Sequence, residues 1–168
     1  MYWRVEKAVG SLARLTAVLG GVALFAVIVL TCVSVIGRAL DFVGLQAIPG
    51  DIELVEFGIG FAVFAALPYA HFARTHARVD MLHRVFGPKI NRVLDLIGDL
   101  FMAVFTALVA WRLYLGMLDK GSYGETSFIL QIPVVWGYRA AMFACGVGVI
   151  VALFCVIRSG RALLSKEI

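Results

Sequence analysis

Little in this 168-residue chain could hold a metal, a haem or a disulfide framework. Its three cysteines, Cys32, Cys145 and Cys155, all fall inside apolar runs and form no CxxC pair. Thiols in such surroundings behave as small hydrophobes. Its three histidines, His71, His76 and His83, sit together among arginines, outside the middles of the apolar runs, and read as interfacial or loop residues. Neither a zinc site nor an intramembrane haem therefore has its ligands, and no cofactor is expected. Charge is scarce as well, at 15% of residues, and it avoids whole segments. Thr16 to Gly37 and Ala140 to Ile157 hold no charged side chain, and Phe57 to Phe72 holds no Asp, Glu, Lys or Arg. The run middles VALFAVIVLTCV, GFAVFAAL, FMAVFTALVAW and FACGVGVIVALF also lack the polar groups that a solute carrier places at the bilayer midplane. A catalytic constellation and a nucleic-acid surface are equally missing, so the chain reads as neither an enzyme nor a nucleic-acid binder.

What is present is hydrophobic length. Apolar residues make up 62% of the chain and mean hydropathy is +0.95, well above the roughly 45–50% apolar usage of soluble domains. Backbone inside lipid must satisfy its own hydrogen bonds, which makes spanning segments helical at about 20 residues each. The chain is predicted to be all-α, a single membrane domain over 1–168 with spans near 15–37, 52–72, 93–115 and 134–157. The first run is too long for the apolar core of a signal peptide, usually about 7–15 residues, and is expected to stay in the membrane. The third is the least regular, because Asp95, Asp99 and Arg112 interrupt it. Pro133 suits the first turn of the fourth, and Trp136 and Tyr138 suit an interfacial aromatic belt.

Lys and Arg concentrate in three polar stretches: Arg4, Lys7 and Arg14; Arg74, Arg78, Arg84, Lys89 and Arg92; and Arg158, Arg161 and Lys166. The other two loops carry Arg38 and Lys120 against Asp41, Asp51, Glu53, Asp119 and Glu125. The positive-inside rule then predicts both termini in the cytoplasm, which requires an even number of spans. Val79, Leu82, Val85 and Phe86 recur at helical spacing before Gly87-Pro88, which fits a short interfacial helix between spans two and three.

Ionisable residues in or near spans suggest function by default. Glu56, Arg112 and Arg139 fall in the same outer layer, and an ion pair of Glu56 with Arg139 or Arg112 is expected. On the inner side Asp95 and Asp99 share a helix face at i, i+4 and are expected to meet Arg92 or the basic loop, with a cation site as the alternative. The net acidic outer loops, with Asp119, Glu125 and Thr126, could meet a basic partner, although Glu125 and Thr126 could instead brace the turn into the fourth span. Gly58 with Gly60, Ala65 with Ala66, and Gly146 with Gly148 suit close helix packing.

Four features in this order carry a family resemblance. They are Arg38 after the first span; GDIELVEF opening the second; THARVDML, with His76, Arg78, Val79, Asp80 and Leu82, on the cytoplasmic side; and GETSFILQIPVVWGY, with Gly124, Glu125, Thr126, Ile132, Pro133, Trp136 and Tyr138, leading into the fourth. Over roughly Leu15 to Ile157 the chain resembles the small membrane subunit, the DctQ-type small permease, of tripartite ATP-independent periplasmic (TRAP) transporters. The family's acidic position corresponds to Glu53 or Glu56. The resemblance implies a non-catalytic subunit of a secondary, sodium-driven importer of an organic acid or related solute, in a bacterial inner membrane. Its implied partners are a large permease subunit, a periplasmic binding protein and membrane lipid. Two other classes remain open: a stand-alone proton-coupled transporter, which needs an essential acid deeper than Glu56, and a redox-enzyme anchor, which needs ligands that the histidine placement does not offer.

Overall fold

The computed structural model describes residues 2–73 and 88–164, and all regular structure there is helical. Four long helices follow in order: α1 (Tyr2–Ala39), α2 (Asp51–Phe72), α3 (Pro88–Tyr123) and α4 (Val135–Leu164), with a short 3-10 turn at Asp41–Val43. Each is long and apolar enough to cross a membrane. At about 1.5 Å per residue even the 22-residue α2 reaches across a hydrocarbon core of roughly 30 Å. The expected interfacial helix, and with it His76, Arg78 and Asp80, lies outside the described residues.

Local chemistry sets the boundaries. Proline opens α3 at Pro88 and stands just before α4 at Pro133, where a missing amide hydrogen costs nothing. Gly124, at φ 60°, follows α3 in the left-handed conformation that closes many helices. Gly50, at φ 76°, turns the chain into α2. The third apolar run is helical through Asp95, Asp99 and Arg112, because backbone bonding tolerates polar side chains that find a place at its ends. α1 begins at Tyr2, so Arg4, Lys7 and Arg14 belong to the helix itself.

α4 is the hub. It touches α1, α2 and α3, while α1 packs on α2 and α3 leans mainly on α4. Half of α4's span is buried, against 6% for α3. The core is built of small side chains, including Ala13, Ala62, Ala65, Ala144, Val151 and Cys155. Such residues let helix backbones approach closely where lipid removes the hydrophobic driving force between helices. Gly10 lies against the Phe72 ring, and Phe72 stacks on Phe154 with centroids 6.3 Å apart. The start of α1 and the end of α4 therefore share one end of the bundle with the end of α2. We call this the basic end. Residues 40–50 and 124–134 lie at the other, acidic end.

Candidate functional site

At the acidic end, the first turn of α2 organises both connections. Ser34, buried in α1, donates its hydroxyl to the Asp51 carboxylate, and Arg38 approaches the same oxygen at 3.7 Å. Asp51 also accepts the Ile52 amide at 2.8 Å, as an acidic residue at a helix N-terminus can. In the same turn, Glu53 accepts the backbone amides of Ile129 at 2.6 Å and Leu130 at 2.9 Å. A single carboxylate thus holds the α3–α4 connection across α2.

That connection is a compact, internally bonded loop. Thr126 bridges Pro133, the Ser127 amide donates to the Ile132 carbonyl at 2.8 Å, and the Val134 amide donates to the Glu125 carbonyl at 3.0 Å. Gln131 at φ 54° makes the sharp reversal, with its side-chain oxygen 2.9 Å from the Thr126 hydroxyl. Lys120 pairs with Glu125 at 2.7 Å. Thr126 and the Glu125 backbone therefore brace the turn into α4, while Asp119 stays exposed on α3. Phe128 at the loop's tip is 91% exposed, an apolar ring on an ordered support. Glu53→Ala is expected to speed hydrogen exchange at the Ile129 and Leu130 amides, and Glu53→Gln, which keeps one acceptor oxygen, to do so less. Unchanged exchange in both variants would show that the loop holds itself.

Glu56 lies one turn further into α2 and lines a cleft of about 560 Å³ between α2, α3 and α4, beside Phe57, Phe61, Phe64 and Tyr138. Among the described residues neither Arg112 nor Arg139 comes within ion-pair distance of it. Arg112 lines an open groove on α3 together with Asp119, and Arg139 is exposed on a different face of α4 from the cleft. The three charges share a level but not a direction.

The basic end holds a polar junction that the chain's order conceals. Asp99, only 6% exposed, accepts a hydrogen bond from the buried Ser159 hydroxyl of α4. The His71 Nε2 of α2 stands 4.0 Å from its other carboxylate oxygen. Asp99 of α3 thus bonds α4 and faces α2, and His71, read from the sequence as interfacial or loop, is buried at the end of α2. Asp95, one turn earlier on α3, is partly buried and has interactions of its own. Arg158 donates to the Phe72 carbonyl at 3.4 Å and lies 5.4 Å from the Phe72 ring centroid. Neither Ser34 nor Ser159 stands out in the sequence, since a lone serine in an apolar helix ordinarily bonds its own preceding turn.

The arrangement offers braced loops and helix-locking polar contacts at the two ends, with apolar surface between them. A family model described as tripartite ATP-independent periplasmic transporters, DctQ component, matches residues 27–164. No curated protein and no solved structure matches the chain.

Proposed function

The chain belongs to the DctQ component family of tripartite ATP-independent periplasmic transporters, and from that premise we propose a stationary scaffold role in a sodium-driven importer of an organic acid or related small solute. As a multi-pass, non-catalytic small permease subunit, it has a large permease and a substrate-binding protein as its family partners. In our reading it packs beside the large subunit in a bacterial inner membrane, with the basic end in the cytoplasm as the positive-inside rule requires. The acidic end then faces the binding protein.

One observation carries this reading. The middle turns of the helices turn apolar side chains outward, such as Phe25 and Ile28 on α1, Phe101 and Val104 on α3, and Phe143 and Ile150 on α4. A chain arranged in this way provides packing surface, and the polar contacts at its ends keep that surface in shape.

The test is uptake into proteoliposomes under a sodium gradient, with this chain, the large subunit and the binding protein added singly and together. Uptake that needs all three components, and that stops when potassium replaces sodium, is the expected result. Transport by this chain alone would overturn the reading. At the acidic end, Phe128→Ala, or reversal of charge at Asp119 and Glu125, is expected to leave the two membrane subunits associated. Both changes should raise the concentration of binding protein needed for half-maximal uptake. If that concentration does not move for either variant, the α3–α4 loop is not where the binding protein docks.

A further inference from the structure

The start of α1 carries Trp3, Lys7, Ser11 and Arg14 at steps of four, four and three residues, which sets them on one side of the helix. Together with Tyr69 and Phe72 of α2 they line a cavity of about 480 Å³ at the basic end, within the roughly 300–1,000 Å³ of small-molecule sites. The Phe72 ring can lie close against α1 because position 10 is glycine, where a Cβ would stand 2.8 Å from the ring. Contacts to Phe154 and Arg158 fix the same ring to α4. The Lys7 ammonium lies 5.3 Å from the Trp3 ring centroid, a cation–π contact that steadies it and leaves its N–H donors for another group.

Charge tells what the cavity takes. Among the described residues no carboxylate stands within ion-pair distance of Lys7 or Arg14, not even Glu6, which also lines the cavity. Two bases against one acid leave it net positive. The clefts at the acidic end differ: one sets Arg112 beside Asp119, another Glu53 beside Glu56, and neither brings two bases together. A pair of unneutralised bases in a concavity suits a phosphate, whose oxygens accept charge-assisted hydrogen bonds from both. The surroundings distinguish a lipid phosphate from a soluble one. Trp3 and Tyr69 are aromatic residues of the kind that sit at headgroup level. The side of α1 that carries Lys7 and Arg14 then continues into the bilayer as Val18, Gly21 and Phe25, all exposed, which offers an acyl chain an apolar bed directly below the two bases.

We infer that the α1–α2 cavity at the basic end binds the headgroup of an anionic phospholipid, with Lys7 and Arg14 on its phosphate and an acyl chain over Val18 and Phe25. Such a site needs only that the helices span the bilayer, whatever role the subunit has beside its partners. The test is native mass spectrometry of the full chain in detergent, titrated with phosphatidylglycerol and, separately, with phosphatidylcholine. One phosphatidylglycerol is expected to bind in clear preference to phosphatidylcholine. Lys7→Gln with Arg14→Gln should weaken it roughly tenfold or more, whereas Arg4→Gln with Arg92→Gln, which removes the same charge outside the cavity, should change it little. Ser11→Trp should block the site by bulk, with no change of charge. Equal affinity for the two lipids, equal weakening by the two double variants, or displacement of the lipid by glycerol phosphate would each overturn the site. A second reading uses the wild-type chain alone, so it does not depend on the variants folding. Phosphatidylglycerol with a photoreactive diazirine in its acyl chain should label the Val18 to Phe25 stretch of α1 ahead of α3 and α4, and labelling spread evenly over the four helices would show a lipid that merely surrounds the bundle.

Discussion

Gly20→Leu is expected to strip most of the folded protein from a membrane extract, while Gly21→Leu, one residue along the same helix, leaves the yield where it is. A Cβ at position 20 would lie 3.0 Å from the Ala65 Cβ and 3.1 Å from the Ala62 carbonyl oxygen. Neither can step aside, since one is a methyl group fixed to a buried helix and the other is backbone. A leucine extends well beyond that first atom and would push α1 away from α2. Overpacking of this kind costs about 1–3 kcal/mol and occasionally more, a large share of the stability of a small protein. At Gly21 no heavy atom lies within 4 Å, and a leucine there adds only lipid-facing surface. Thermal unfolding in detergent, followed by size-exclusion chromatography, compares the two. Equal midpoints would show that α1 and α2 do not meet through Gly20.

Asp99→Ala is expected to be nearly as damaging, for a chemical reason instead of a steric one. It removes the acceptor of the buried Ser159 hydroxyl and the carboxylate facing His71, where α2, α3 and α4 come together. A buried donor left without its acceptor costs roughly 1–3 kcal/mol, and more when the lost group is charged. Asp99→Asn retains an acceptor oxygen and should lose less. Ser159→Ala alone is expected to cost less than Asp99→Ala. Combined with Asp99→Ala it should add little, because the orphaned hydroxyl is then gone too. Additive losses in the double variant would show that the two residues do not act together.

The four helices could be read from the chain because their middles exclude charge, and the basic and acidic stretches already pointed to a shared end for both termini. The irregular third span resolves once Asp99 is seen to point into a helix junction, a placement that depends on Ser159 sixty residues away. Sequence counting places Glu56, Arg112 and Arg139 at one depth, but direction around a helix depends on which face is buried. α4 buries Ala141, Ala144, Cys145 and Val147, and that choice turns Arg139 outward, away from Glu56. The GETSFILQIPVVWGY segment announced itself as a turn into the fourth helix. The grip of Glu53 on Ile129 and Leu130 did not, because a carboxylate that accepts distant backbone amides leaves no pattern in either segment.

The hub position of α4 has a consequence for biosynthesis. Chains emerge from the ribosome N-terminus first, so α1 and α2 can pair as soon as both are inserted, whereas α3 enters the bilayer before its main neighbour has been made. Until α4 arrives, Asp99 has no Ser159 to bond. A nascent chain stalled before Val135 would thus hold one finished hairpin and one helix with a carboxylate still waiting for its serine. Insertion of the last helix is the step that commits the whole subunit to its shape.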